Sequence, residues 1–240
     1  APSFGLRAAL RPRPALRRHG LSVLRADPAE TVEDLEQEPD EYVRLAERLQ
    51  GASLYLVGMM GTGKSTAGKE LAKRMGGYSF LDTDTVIEAY AGRDCATIFE
   101  EEGEEAFRDI ETMVMDQACA YKRLCVATGG GMVLRTKNWS KMQTGIVVWL
   151  NMDPADIAER LSASSDEVTK RPLLAEADPA AKLTEILDER RDRYAIADIT
   201  LDMTKDDTVD DVVRMVCSRV HSFIDKNPPR FTESSEYANQ

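Results

Sequence analysis

The stretch Leu54–Thr66 reads Leu-Tyr-Leu-Val-Gly-Met-Met-Gly-Thr-Gly-Lys-Ser-Thr, and it decides the fold class of this 240-residue chain. A short apolar run comes first, and Gly-x-x-x-x-Gly-Lys-Ser follows from Gly58 to Ser65. In a P-loop of this pattern, glycines let backbone N–H groups converge on phosphate oxygens. The next residues predict a helix over 64–75, whose dipole adds positive charge at its start. The sequence therefore predicts a phosphate site between a buried strand and a helix.

The P-loop side chains have distinct predicted roles. Lys64 can bridge two phosphate groups of a nucleotide, and the Ser65 hydroxyl can ligate Mg²⁺. A glycine-rich turn before an ordinary helix is the alternative, and the strand-then-helix context disfavours it. The predicted nucleotide-binding residues are Gly58, Gly61, Thr62, Gly63, Lys64, Ser65 and Thr66.

Composition excludes several classes of function. Lys and Arg total 31 against 42 Asp and Glu, a net charge of -11 that argues against nucleic acid as a general partner. The sequence contains no 18-residue apolar run, so we predict no membrane span. The four cysteines form no Cys-x-x-Cys pair and are typical of reduced thiols. Because the only histidines, His19 and His221, lie near the ends, proton chemistry is expected to fall to carboxylates.

The N-terminal region differs in charge from the rest of the chain. Residues 1–26 contain six arginines and no acidic residue, which is typical of an organelle transit peptide, although a disordered basic tail is the alternative. Residues 27–41 contain eight acidic residues, and an amphipathic helix is predicted over 42–49. We predict a leader and linker over 1–50, a P-loop domain over 51–225 and a disordered tail over 226–240.

The domain alternates predicted strands with predicted helices. A parallel α/β sheet with helices on both faces is therefore expected, with ligands at the carboxyl ends of its strands. The P-loop, Asp82-Thr-Asp84 and Thr128–Gly131 all follow strands, so they are expected at that edge. The predicted strands cover 54–57, 79–82, 124–127, 146–150 and 199–202. The predicted helices cover 64–75, 85–90, 95–103, 105–121, 137–142, 154–162, 182–195 and 208–224, with a mobile loop over 164–180.

In this order, the motifs resemble those of the shikimate kinase family, over about residues 52–223. The motifs that carry the resemblance are Gly-Met-Met-Gly-Thr-Gly-Lys-Ser-Thr, Phe-Leu-Asp-Thr-Asp at 80–84, Gly-Glu-x-x-Phe-Arg-x-x-Glu at 103–111, Thr-Gly-Gly-Gly at 128–131, Arg-Pro-Leu-Leu at 171–174 and Glu-Arg-x-x-x-Tyr at 189–194. Residues 138–150 are similar to plant plastid members. The resemblance implies a three-layer fold like that of nucleoside monophosphate kinases, with a five-stranded parallel sheet and a mobile lid. It also implies transfer of the γ-phosphoryl group of ATP to the 3-hydroxyl of shikimate, with Mg²⁺, in the plastid stroma.

Two aspartates suit such chemistry, which depends on positioning and charge neutralisation. Asp82 is expected to orient a Mg²⁺ carried by Ser65, through water. Asp84 is expected to project to the same side of an extended chain and to take the proton of the attacking hydroxyl as a base. The alternative is that both are helix caps at a strand end.

Arginines are expected to bind the substrate carboxylate, because guanidinium groups bind carboxylates through two parallel hydrogen bonds. The resemblance assigns this role to Arg108 and Arg190, and assigns Arg171 to a lid that closes over the transferring phosphate. Arg160 is a candidate for stacking on adenine. Phe99 and Phe107 are expected to wall the substrate ring, Glu111 to brace Arg108, and Gly129, Gly130 and Gly131 to contact the ring. Surface ion pairing is the alternative for each arginine.

Two other functions stay open at the level of sequence. The chain could be another small-molecule P-loop kinase, acting on gluconate or a nucleotide, but the Asp82, Arg108 and Arg190 set favours an acid-bearing substrate. It could also be a catalytically silent relative that binds partners, although every expected catalytic position is filled.

Overall fold

The computed structural model describes residues 40–162 and 178–227, which form a single five-stranded sheet flanked by helices. The strands are β1 (Leu54–Val57), β2 (Ser79–Asp82), β3 (Leu124–Ala127), β4 (Ile146–Met152) and β5 (Ile199–Met203). The helices are α1 (Glu41–Arg48), α2 (Lys64–Met75), α3 (Thr83–Ala91), α4 (Cys95–Ala118), α5 (Thr136–Met142), α6 (Pro154–Ser162), α7 (Pro179–Tyr194) and α8 (Val209–Lys226), with a 3₁₀ turn at Met132–Leu134.

The sheet is parallel throughout, with strand order β2-β3-β1-β4-β5. Of its three inner strands, β1 and β3 are buried along their whole length, as their apolar sequences require when helices cover both faces. The edge strand β5 alternates buried and exposed residues instead. The expected parallel α/β fold is therefore confirmed.

The strand order determines which helices cover which face. Only the β1-α2-β2 connection runs toward the β2 edge; the other connections run toward β5. Because such crossovers are right-handed, α2 lies on one face and α3 to α7 lie on the other. Helices α1 and α8 contact α2 and each other, and they complete the first layer.

The neighbouring strands β1 and β3 have connections that leave in opposite directions. A crevice opens at the carboxyl ends of two such strands, and ligands of α/β proteins bind there. The P-loop follows β1 and the triple glycine Gly129–Gly131 follows β3. The topology therefore places both loops at the same crevice.

Helix α4 is two helical segments joined at Gly103, as the sequence predicted. Gly103 has φ 84° and ψ 170°, a backbone conformation that is essentially confined to glycine. Phe99 lies before this break, and Phe107 and Arg108 lie after it.

Helix α1 packs against the domain, although the sequence placed it in a linker. Asp40 caps it by accepting a hydrogen bond from the Tyr42 N–H at 3.0 Å. Its apolar face, formed by Tyr42 and Leu45 with the following Leu49, is buried in the main hydrophobic core. Arg48 adds a 2.8 Å contact with His221 Nδ1 on α8. The division at residue 50 stays a prediction, but residues 41–49 pack against the α/β sheet domain.

Some predicted segments differ in their bounds or lie outside the described residues. Helix α3 begins at Thr83, not at 85, because the Asp82 carboxylate accepts from the Asp84 and Thr85 N–H groups. Helix α7 begins at Pro179, so the predicted loop over 164–180 overlaps its first turn. Outside the described residues lie the rest of that loop up to 177, residues 1–39 of the predicted leader and linker, and residues 228–240 of the predicted tail.

Candidate active site

The P-loop leaves β1 through a backbone turn that only glycine can occupy. Gly58 has φ 144°, and a Cβ atom there would lie 2.5 Å from the Leu150 carbonyl oxygen of β4. The Thr62 hydroxyl is buried and donates to the Met59 carbonyl at 2.9 Å, which closes the turn. The loop therefore curls tightly before α2 begins, as phosphate binding requires.

Lys64 lies at the first position of α2, and its ammonium group turns back into the loop. Its Nζ donates to the carbonyls of Gly58 at 2.9 Å and Met59 at 2.7 Å. The side chain is buried beside the N-terminus of α2. A fixed cation and a helix N-terminus together favour an anionic phosphate at this position.

Arg160 on α6 provides a second cation beside the loop. Its guanidinium nitrogens lie 3.9 Å from the position that a Cβ of Gly63 would occupy. Its Nη1 is buried and finds no hydrogen-bond partner within residues 40–162 and 178–227. A buried donor of this kind calls for an acceptor, and a nucleotide phosphate or base fits the requirement.

Ser65 and Asp82 are the predicted metal ligands, and the structure places them side by side. The Ser65 hydroxyl donates to Asp82 Oδ2 at 2.5 Å. A hydroxyl and a carboxylate oxygen are hard donors that suit Mg²⁺, which usually completes its shell with water and phosphate oxygens. The described residues contain no cluster of three or more acidic, histidine or cysteine side chains that could hold a metal ion.

The predicted orientation of Asp84 is corrected by the structure. The sequence placed Asp84 on an extended chain, but it lies in the first turn of α3, where Asp82 is the cap. Asp84 nevertheless reaches the crevice, because a Cβ on Gly129 would lie 2.6 Å from its Oδ1. Thr83, which the sequence did not single out, accepts a hydrogen bond from the Gly129 N–H at 2.9 Å.

Arg108 and Glu111 form a buried ion pair next to the triple glycine. Arg108 Nη1 lies 2.6 Å from Glu111 Oε2, which agrees with the predicted bracing role of Glu111. A Cβ on Gly131 would lie 2.0 Å from the same Nη1, so a side chain there would displace the guanidinium. Glu104 also accepts from Arg108 at 3.1 Å.

Two aromatic rings and the charges around Glu111 shape the environment of this pair. The Arg108 guanidinium carbon lies 5.9 Å from the centroid of the Phe99 ring and 5.5 Å from that of Phe107. Burial raises the pKa of Glu111 although Arg108 lowers it, and the nearby Asp84 raises it further. The site therefore combines a cation with two closely spaced carboxylates.

Arg190 on α7 faces the same loop from the other side. A Cβ on Gly130 would lie 3.6 Å from Arg190 Nη1 and 3.7 Å from the Gly58 carbonyl oxygen of the P-loop. Tyr194, one helical turn after Arg190, donates from its hydroxyl to the Gly130 carbonyl at 2.7 Å. The sequence motif contained Tyr194 but gave it no role, although its four-residue spacing from Arg190 placed both on one face of the helix.

The structure thus brings the predicted residues together around one crevice, with the P-loop on one side and Asp84, Arg108 and Arg190 on the other. Arg171 lies outside the described residues. This fold and this crevice are typical of an α/β P-loop protein, with cationic side chains on both sides of the crevice.

Comparison with known proteins gives the family. The shikimate kinase family model matches residues 60–221. A shikimate kinase of Synechococcus sp. (strain CC9902) is 48% identical over 162 residues, covering 68% of this chain and 83% of the relative. One from Gloeobacter violaceus is 50% identical over 151 residues, covering 63% of this chain and 83% of the relative. The chain therefore belongs to the shikimate kinase family.

Solved structures agree with this assignment. The shikimate kinase of Acinetobacter baumannii, solved in complex with shikimate, superposes with a TM-score of 0.65 at 33% identity. That match covers 78% of this chain and 99% of the other.

Among residues 40–162 and 178–227, the helices are all too short or too polar to cross a membrane.

Proposed function

We propose that this protein is a shikimate kinase, which transfers the terminal phosphoryl group of ATP to the 3-hydroxyl of shikimate. The main support for this proposal is that one carboxylate and two guanidinium groups gather around the triple glycine. Asp84, Arg108 and Arg190 all approach Gly129–Gly131, and Gly130 lies next to the P-loop. An acceptor with both a hydroxyl and a carboxylate matches that combination of a carboxylate and two guanidinium groups.

The P-loop is proposed to bind the nucleotide. Lys64 would exchange its contacts with the loop carbonyls for contacts with phosphate oxygens, and the backbone of Gly58, Gly61, Thr62 and Gly63 would surround them. Ser65 and Asp82 would bind Mg²⁺, with Thr66 beside them in the first turn of α2. Bound Mg²⁺ would neutralise negative charge on the phosphates. Arg160 Nη1 is proposed to donate a hydrogen bond to the nucleotide.

The pocket beside the triple glycine is proposed to bind shikimate. Arg108 and Arg190 would hold its carboxylate, Phe99 and Phe107 would border its ring, and Glu111 would keep Arg108 in place. Asp84 would accept the proton of the attacking hydroxyl, so that phosphoryl transfer yields shikimate 3-phosphate and ADP. Arg171 is proposed to act from the lid.

A coupled assay of ADP release tests the substrate. Turnover with ATP, Mg²⁺ and shikimate, and none with gluconate or nucleoside monophosphates, is expected. Turnover of gluconate but not shikimate would place the chain in another kinase class. If no acceptor gave turnover while nucleotide still bound, the protein would be a silent relative.

Arg190→Ala tests the assignment of the carboxylate site. Its KM for shikimate should rise about 10- to 150-fold, because a charged hydrogen bond contributes about 1.5–3 kcal/mol. The KM for ATP should change little. Arg191→Ala is the matched control, since Arg191 is exposed and pairs only weakly with Asp188 on its own helix. Equal losses for both substrates would assign Arg190 a structural role instead.

We also propose that the protein acts in the plastid stroma. The basic, acid-free character of residues 1–26 and the similarity to cyanobacterial enzymes support this location. A fusion of residues 1–50 to a fluorescent reporter should enter plastids of a plant or algal cell. A diffuse cytosolic signal would contradict the targeting role.

A further inference from the structure

Tyr194 is a buried residue at the meeting point of the two halves of the site. Its side chain is fully buried, and its hydroxyl donates to the Gly130 carbonyl at 2.7 Å. The same hydroxyl lies 3.8 Å from the Met59 sulfur in the P-loop. One atom therefore contacts both the loop after β3 and the loop after β1.

A stack on the sheet fixes the orientation of the Tyr194 ring. The ring stacks on Trp149 of β4 with centroids 5.5 Å apart and planes at 17°. Burial raises the pKa of the phenol, while the charge and hydrogen bonding of Arg190 lower it. The ring is held by the sheet, and its hydroxyl binds Gly130, where a Cβ atom would lie 3.6 Å from Arg190 Nη1.

We infer that Tyr194 is a positioning residue, which orients Gly130 and Arg190 for binding of the substrate carboxylate. This inference rests on the proposed function. Without the hydroxyl, the Gly130 carbonyl would lose its donor, and the loop that lies beside Arg190 Nη1 could shift. The Arg190 guanidinium could then leave the geometry that two parallel hydrogen bonds to a carboxylate require.

The rest of the molecule offers a matched control for the loss of a tyrosine hydroxyl. Tyr78 is also buried, and its hydroxyl donates to the Ala52 carbonyl at 2.8 Å. Ala52 precedes β1, so this bond lies at the amino end of the sheet, opposite the crevice. Tyr78→Phe removes the same kind of bond as Tyr194→Phe but touches no proposed substrate contact.

Steady-state kinetics on the full chain test the inference. Tyr194→Phe keeps the ring and its stack on Trp149, so it is expected to fold. Its KM for shikimate should rise about tenfold, which corresponds to the loss of about one hydrogen bond to a charged group. Its KM for ATP should stay within about twofold of wild type, and Tyr78→Phe should leave both KM values unchanged. An unchanged KM for shikimate in Tyr194→Phe would overturn the inference.

A double-mutant cycle separates positioning from a purely structural loss. If Tyr194 acts by orienting Arg190, then Tyr194→Phe should add little to the KM of Arg190→Ala, whereas independent effects would multiply. Multiplied effects would overturn the coupling. Thermal unfolding of Tyr194→Phe and Tyr78→Phe should give similar losses, so a difference confined to KM cannot come from general instability.

The outcome is also distinguishable from failure of the proposed function. If wild-type protein does not phosphorylate shikimate, the proposed function fails. If wild-type protein is active and Tyr194→Phe matches Tyr78→Phe in every parameter, the function stands and the positioning role fails.

Discussion

Lys64 donates to two carbonyls of its own loop, and a phosphate group would have to replace those acceptors. Lys64→Met keeps most of the length of the side chain and removes the charge. We expect kcat to fall at least about 10²-fold, the usual cost of losing one donor to developing charge in a transition state. Lys69→Met on the exposed side of α2 is the control and should keep wild-type turnover. Comparable kcat in both variants would remove Lys64 from the catalytic residues.

Asp84 offers a sharper test, because Asp84→Asn changes charge and basicity with little change in shape. Loss of a general base is expected to lower kcat about 10²- to 10⁴-fold, with the KM for shikimate less affected. Asp109→Asn on the exposed side of α4 is the control. Near-normal kcat in Asp84→Asn would mean that Asp84 only stabilises the first turn of α3.

For single residues, the sequence predicted the identity of the residues that gather at the site better than the orientation of their side chains. The motifs identified Asp84, Arg108 and Arg190 by spacing and residue type, and all three approach the triple glycine. The orientation of Asp84 was wrong because strand alternation was continued past Asp82, where the chain already turns into a helix. Thr83 and Tyr194 were missed because their hydrogen bonds join loops that are distant in sequence.

Among the elements, helix α4 depends on the break at Gly103. Gly103→Ala should lower the free energy of unfolding by about 1–3 kcal/mol, since its φ and ψ are nearly inaccessible to other residues. Gly92→Ala is the matched comparison, with φ 67° and ψ 16° in the left-handed region. A Cβ at either glycine would have no atom within 4 Å, so only the backbone conformation differs. Urea unfolding should rank Gly103→Ala as more damaging; the reverse order would contradict the strain argument.

Strand bounds were easier to predict than helix starts. Strands β1, β2 and β3 have the predicted bounds because short apolar runs end abruptly at glycine or polar residues. Strand β4 continues two residues past its predicted end, since Asn151 and Met152 pair with Asp202 and Met203 of β5. The early start of α7 was readable from Asp178-Pro179, a cap followed by a proline at the first helical position.

For the whole molecule, the packing of α1 changes the expected boundary of the folded unit. Deletion of residues 1–39 should leave stability and activity near wild type, because it keeps the Asp40 cap and the apolar face of α1. Deletion of residues 1–50 should lower the thermal midpoint strongly, since burial of each large apolar side chain contributes about 1.5–3 kcal/mol. Equal thermal midpoints for the two deletions would mean that α1 is a linker that does not stabilise the domain.

Single substitutions in α1 test the same point in the full chain. Leu45→Ala should cost about 2–5 kcal/mol of unfolding free energy, because Leu45 is fully buried on a helix that contacts α2 and α8. Val43→Ala on the exposed face of the same helix is the control and should cost far less. Similar losses of unfolding free energy in Leu45→Ala and Val43→Ala would show that packing of α1 against the domain does not stabilise the protein.

The contact between α1 and α8 also brings together the two ends of the part of the chain that the structure describes. His221 Nε2 lies 3.1 Å from the Glu41 carbonyl oxygen, and Tyr42 packs on Arg74, near the end of α2. That end lies about 15 Å from the P-loop, at 1.5 Å per helical residue. A tether attached near residue 40 or 227 would therefore lie away from the crevice at the carboxyl ends of the strands. The same holds for a fused enzyme, or for a peptide that joins residue 227 to residue 40. The substrate entrance would keep facing the solution in an immobilised or circularly permuted form of the enzyme.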